Sequence, residues 1–319
     1  MTAGQANVEV FSETLLEIAT QDSSVLVVTS DSRGSGKLVQ FGQQLPEQIV
    51  EIGIAEQSLV GIAAGLASTG KKVFAVSPAS FLTARALEQI KNDVAYSDNP
   101  VNLVGISAGV SYGALGSTHH SLHDLAALRA INNLQVIVPA DNFETRQAIL
   151  SAVGSSSPTY IRLGKRPIPN LHDPGATFEI GKVIEVRSGS DVAFVATGET
   201  VAVAVEAAEQ LERAGVSARV LSMHTIKPLD GEALIRVAGD TEALITVEEH
   251  SVHGGLGEAC AAILLEAGIS KPFQIVGIPD EYTVTGSQQD IFDHYGISAV
   301  GLAGKAQALL KRAREAVGQ

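Results

Sequence analysis

The chain has 319 residues, 45% hydrophobic and 18% charged, long enough for one large or two ordinary domains with well-formed cores. Its 35 acidic and 22 basic side chains give a formal net charge of −13, which argues against a nucleic-acid or anionic-membrane surface but not against a small anionic substrate held by a few local cations. The single Cys260 makes no intrachain disulfide, no stretch approaches the ~20 apolar residues of a membrane span, and the opening MTAGQANVEVFSE lacks the basic and apolar parts of a signal peptide. A cytoplasmic location is therefore the expectation.

In chain order, an amphipathic segment over Phe11–Ala19 precedes a β-branched run at Val25–Val28. Ile54–Leu66 is small or apolar at nearly every position, with Gly61 and Gly65 permitting close approach of another backbone. A helix apolar all round belongs in an interior or an interface. A helix-period segment at Ala84–Val94 leads to strands at Val101–Val104 and Val136–Val138. After three prolines between Arg166 and Gly175 the alternation resumes: Asp191–Ala196, Ala202–Ala214, Ala218–Leu221, Ala243–Val247 and Leu256–Ala267. This pattern predicts an α/β fold with two domains, each a mainly parallel sheet flanked by helices. The expected division is a first domain at 1–167, a linker at 168–182 and a second domain at 183–319.

Three familiar motifs fail. The run Asp31–Lys37 resembles a phosphate-binding loop, but Asp31 stands at its first glycine and Leu38 at its hydroxyl residue. His253–Glu258 is glycine-rich, yet Cys260 replaces the third glycine of a dinucleotide fingerprint. His119, His120 and His123 have helical spacing without a nearby glutamate or cysteine, so no metal ligand is assigned.

Glu56 is the residue that the pattern does not absorb. A carboxylate opening an apolar helix loses hydration, so its pKa should rise unless a cation or donor compensates. The plain alternative is an exposed first-turn glutamate favoured by the helix dipole. The sharper one is a protonatable carboxyl facing a basic atom of a ligand.

The segments GIAEQ (53–57), FLTAR (81–85), QIKNDVAY (89–96), GALGSTHH (113–120) and VPAD (138–141) occur in the order and spacing of one family. The chain resembles the carboxyl-terminal half of a transketolase, and more closely the second subunit of split, two-chain transketolases. The resemblance implies a thiamine diphosphate pyrimidine-binding fold followed by a transketolase C-terminal domain. It implies that Glu56 hydrogen-bonds the cofactor's aminopyrimidine and favours the tautomer that removes a proton from the thiazolium carbon, a proton-sharing role suited to a carboxyl of raised pKa. It further implies that Asp31 and Ser32 lie beside the cofactor, Phe81 packs on the pyrimidine, and Ser35 contacts substrate phosphate. His119 would contact substrate and act catalytically at sugar oxygens, with Arg162 and Lys165 holding the anionic end. The plain readings are a helix-capping turn for Asp31–Ser35, a core ring for Phe81 and a solvated edge for the basic cluster.

Departures from the family are Pro78 for an aromatic residue, Ser107 for a histidine, Leu115 for an aspartate that reads a donor hydroxyl, and Val8 for a phosphate-binding arginine. Lost polar readers change which sugar fits, so an unusual ketose, phosphorylated or otherwise anionic, is expected. No Gly-Asp-Gly segment for diphosphate and Mg²⁺ is present. The resemblance then implies a partner subunit that carries it, an α2β2 assembly, and transfer of a two-carbon ketol unit from a ketose to an aldose. The alternatives are the beta subunit of a 2-oxo acid dehydrogenase, a deoxyxylulose-phosphate-synthase-like fragment, or a non-catalytic scaffold.

Overall fold

Runs of buried β-branched residues make poor surfaces and good central strands, and the chain uses them as such. The computed structural model describes residues 2–172 and 175–317. Its strands are β1 Val25–Thr29, β2 Ile49–Glu51, β3 Lys72–Pro78, β4 Val101–Ile106, β5 Gln135–Ile137 and β6 Thr159–Arg162, then β7 Ile184–Arg187, β8 Val192–Ala196, β9 Ala218–Ser222, β10 Thr225–Lys227, β11 Ala243–Ser251 and β12 Phe273–Ile278. They form a seven-stranded sheet, β10-β5-β6-β4-β3-β1-β2, and a five-stranded sheet, β12-β11-β8-β9-β7. All pairings are parallel except the edge strands β10 on β5 and β7 on β9. The expected fold class is therefore observed.

Helices cover both faces. In the helix Asn7–Gln21, Val8, Phe11, Leu15 and Ala19 recur at helical spacing and join a core with Val25, Val27 and Phe74. In the helix Glu56–Ala67, Leu59, Val60, Ala63 and Ala64 pack with Val28, Val73 and Leu103 in another core. This second helix is buried on one side only: Ile62 is 40% exposed, and Ile54, just before it, is 74% exposed.

Two expected elements differ. The segment Ala84–Val94 is not one helix: a helix over Ala79–Arg85 ends at Ala86, a single turn follows, and Ile90–Tyr96 is wound as a π-helix. The boundary between domains is also crossed. Thr225 and Lys227 of β10, in the second half of the chain, pair with Ile137 and Val136 of β5 and extend the first sheet.

The expected linker holds no helix or strand among its described residues, yet it is tied down; residues 173 and 174 lie outside the described set. Asn170 N donates to Thr2 O (2.9 Å), Leu171 N to Asp141 Oδ2 (2.8 Å), and the His172 ring meets Glu144 Oε1 at 2.8 Å. Further on, Phe178 stacks on His224 with centroids 4.2 Å apart. Each contact ties a backbone group or ring of this segment to a partner elsewhere in the protein.

A second junction joins the halves where Val110 N donates to Glu249 Oε1 (2.8 Å) at the turn containing Gly109. Gly109 has φ 61°, and a Cβ there would collide with the Glu249 side chain. Gly109→Ala combines left-handed strain with overpacking and should lower stability by about 2–4 kcal/mol. Gly65→Ala, with nothing within 4 Å of its Cβ, should change it by no more than ~1 kcal/mol, as a gain from helix propensity. Denaturant midpoints measure both; a neutral Gly109→Ala would contradict the tight junction.

Candidate functional site

In an open parallel sheet, loops leaving the carboxyl ends of the strands share one edge, and ligands collect there. Glu56 follows β2 and opens its helix, Phe81 and Arg85 lie on the helix after β3, Tyr112 and His119 in the loop after β4, and Lys165 follows β6. The strand order β6-β4-β3-β1-β2 then sets the order in which these side chains meet.

They form one continuous line. The Lys165 ammonium sits 5.2 Å from the centroid of the Tyr112 ring. Tyr112 meets His119 edge-to-face at 5.6 Å and 75°, and His119 meets Phe81 the same way at 5.3 Å and 71°. The Arg85 guanidinium lies 4.3 Å from the Phe81 centroid, and its Nη1 donates to both oxygens of Glu56, at 2.9 and 3.0 Å. Such edge contacts and cation–ring contacts fix orientation as well as adding attraction. Glu56 itself is 3% exposed and lines an open cavity of about 460 Å³ with Ile54, Ala55, Gln57, Ser58 and Arg85. The compensating cation expected for a carboxylate in an apolar wall is thus Arg85. Its partnership across 29 residues left no mark in the sequence, although Arg85 closes the FLTAR segment.

Other expected site residues lie apart from this line. Asp31 is exposed in the left-handed region (φ 51°), its N–H donating to Glu51 Oε1 at 2.6 Å. Ser32 is buried with its hydroxyl donating to Ser30 O (2.7 Å), and Ser35 is half-buried in the same turn. Among the described residues no hydrogen bond or ring contact links these three to Glu56, Phe81 or His119. Val8 is 1% exposed in the core beneath the sheet, so that position faces no ligand. Ser107 adopts φ 52° in the turn after β4, and Leu115 is 54% exposed.

Arg162 departs from its expected role in substrate binding. It is 5% exposed; Nε pairs with Asp124 Oδ2 at 2.8 Å, and Nη2 donates to Ser121 O and Glu249 O at 3.0 and 2.8 Å. A charge at the end of a strand buried on both faces needs internal partners, and those partners occupy this one. Burial works against the Asp124 charge, yet Arg162 holds that carboxyl below its ordinary value. Arg166 is also engaged, with Glu199 Oε2 (3.2 Å) and Gln289 Oε1 (3.1 Å). Of the three basic residues only Lys165 faces the aromatic line. His120 is buried between Thr283 Oγ1 (2.7 Å) and Gly113 O (3.0 Å), pinning the site loop to the second half of the chain. No group of three or more His, Cys, Asp or Glu among the described residues is placed to hold a metal.

Behind the site, Glu199 and Glu249 share Gln288, whose Nε2 donates to both at 3.0 and 2.8 Å. Burial, then the Glu199 charge, pushes Glu249 up to about 7. A carboxyl raised above its ordinary 4.5 takes up a proton on folding. Its stabilisation is complete below 4.5 and is lost as the pH rises through about 7. Glu249→Gln keeps an acceptor for Val110 N but cannot ionise. It should leave the melting temperature nearly unchanged at pH 5 and raise stability by on the order of 2 kcal/mol at pH 8; an offset equal at both pH values would contradict this. Arg162→Met should cost about 3–5 kcal/mol by stranding Asp124, while Lys165→Met should stay within ~0.5 kcal/mol, both read from denaturation curves.

Comparison with known proteins identifies the family of both halves. Residues 3–170 match the family described as "Transketolase, pyrimidine binding domain", and residues 181–302 match "Transketolase, C-terminal domain". The chain is 46% identical over 303 residues to one of the subunits of the apulose-4-phosphate transketolase of Phocaeicola vulgatus, covering 95% of this chain and 96% of that one. It is 34% identical over 304 residues to a 6-deoxy-6-sulfo-D-fructose transketolase subunit of a Clostridium species, covering 95% and 94%. Among solved structures, a split gene transketolase described as an inactive beta4 tetramer superposes with a TM-score of 0.86 at 37% identity, covering 97% of this chain and 99% of the other. The chain belongs to the transketolase family of thiamine diphosphate enzymes and carries that family's pyrimidine-binding and C-terminal domains.

Proposed function

We infer that this chain is the pyrimidine-binding subunit of a two-chain transketolase that moves a two-carbon ketol unit from an anionic ketose to an aldose. The observation that carries this reading is the buried Glu56 carboxylate, held by Arg85 in the wall of a cavity and aligned through Phe81 with His119. Its relatives act on apulose-4-phosphate and on a sulfonated fructose, which supports a ketose with a phosphate or sulfonate.

The residues fit the pyrimidine end of thiamine diphosphate. A planar basic heterocycle needs a flat apolar surface and a hydrogen-bonding carboxyl, and the half-buried Phe81 and the buried Glu56 both contact a single guanidinium. The cofactor, when bound, supplies the carbanion chemistry of carbon–carbon cleavage and transfer. Glu56, oriented by Arg85, exchanges a proton with the ring nitrogen. Phe81 packs on the ring face, and His119 gives or takes a proton at a sugar oxygen. Lys165 balances the anionic end of the sugar as a point charge. Asp31, Ser32 and Ser35, on the neighbouring loop after β1, remain assigned to the cofactor and substrate edge. The diphosphate and its Mg²⁺ fall to a second chain that carries a Gly-Asp-Gly segment. The exposed Ile54, which lines the cavity, and the exposed Ile62, on the helix that Glu56 opens, offer that chain an apolar landing face within an α2β2 assembly.

Co-purification with a partner chain that carries a Gly-Asp-Gly segment, followed by assay with thiamine diphosphate, Mg²⁺ and a panel of ketose phosphates and aldoses, tests this. Two-carbon transfer is expected. Glu56→Gln should reduce kcat by about 10²–10⁴-fold. Decarboxylation of a 2-oxo acid in place of ketol transfer, or a fully active Glu56→Gln enzyme, would overturn the reading.

A further inference from the structure

The aromatic line is terminated at both ends by a cation on a ring: Arg85 on Phe81, and Lys165 on Tyr112. The Arg85 end is committed to Glu56. The Lys165 end is open: the lysine is exposed and has no ion pair among the described residues, whereas Arg162 and Arg166 are both engaged. Tyr112 is half-buried and its hydroxyl makes no hydrogen bond among the described residues. It begins the short turn that ends at the exposed Leu115. Its ring thus contacts both His119 and Lys165.

We propose that Tyr112 is the specificity-determining residue of this site, positioning Lys165 at a fixed distance from His119 so that the pair selects sugars whose anionic group lies one ring-width from the reacting oxygen. This rests on the reading that the site takes an anionic sugar. A free lysine is a poor reader of length, because its four-carbon stem samples many rotamers and loses that freedom on binding. Seated on an aromatic face it is pre-organised, and the binding cost falls. The ring, not the hydroxyl, supplies the seat, so the two parts of the side chain are separable. Removing the ring releases the ammonium without removing its charge. Removing the hydroxyl leaves the seat intact.

The test uses the two-chain holoenzyme and isothermal titration with ribose 5-phosphate and with ribose, taking the ratio of the two affinities as the measure of charge recognition. The native complex should prefer the phosphate. Tyr112→Leu and Lys165→Met should each shrink that preference about five- to tenfold, and Tyr112→Phe should stay within about twofold. In steady-state assays with a phosphorylated ketose, Tyr112→Leu should raise KM by a similar factor with kcat changed less than about threefold. The proposal falls if the native complex shows no preference, if Tyr112→Leu preserves it, or if ribose and ribose 5-phosphate weaken equally. Should ketol transfer be absent while the Tyr112-dependent preference persists, the functional reading fails and this inference stands. Transfer that is intact with a preference insensitive to Tyr112→Leu removes only the inference.

Discussion

A carboxylate set into an apolar wall must find a counter-charge or give up its own. Glu56 finds Arg85, and both its oxygens rest on one nitrogen of that guanidinium. The arrangement places an acid at a cavity without burying an uncompensated charge, and it leaves Arg85 half in solvent, its side chain 47% exposed, where its cost of desolvation is small. The same guanidinium lies over Phe81. One cation therefore fixes the two groups that a heterocycle would meet, and the rest of the site is arranged outward from it.

The sheet does that arranging. Adjacent parallel strands are about 5 Å apart, close to the 5.3 Å between the rings of Phe81, after β3, and His119, after β4. Side chains on neighbouring loops can therefore touch in strand order without long reaches. The second half of the chain backs this edge rather than supplying it. Glu249 receives Val110 N, Thr283 holds His120, and β10 extends the sheet itself. The loop carrying Tyr112 and His119 is stretched between these anchors. A loop so held presents rings at fixed angles, which a free loop would not.

Much of the fold was legible because buried parallel strands and amphipathic helices have different periods, and the runs at Val25–Val28, Val101–Val104 and Ala243–Val247 each fall within an observed strand. The break at Ala86 and the π-wound turn after it were not legible, since helical spacing survives a small change in winding. The three-residue β10 carries too little pattern to announce a pairing with β5 some 90 residues away. In the site, Glu56 stood out as a charge in an apolar helix. Arg162 misled because sequence proximity to Lys165 and Arg166 suggests a cluster, whereas its strand neighbours Tyr160 and Ile161 mark a buried position that needs Asp124. Val8 could have been assigned to the core from its spacing to Phe11 and Leu15. Tyr112 carried no signal, because one aromatic residue in a glycine-rich loop has many uses.

The central claim is that the Glu56 carboxyl meets a pyrimidine ring nitrogen, and a double-mutant cycle on binding isolates that contact. Affinities of the native and Glu56→Gln two-chain complexes would be measured for thiamine diphosphate and for an analogue with carbon in place of that nitrogen. A native preference for thiamine diphosphate of about tenfold or more, collapsing in Glu56→Gln, is the expected coupling. An equal preference in both complexes would place the carboxyl elsewhere and contradict the account.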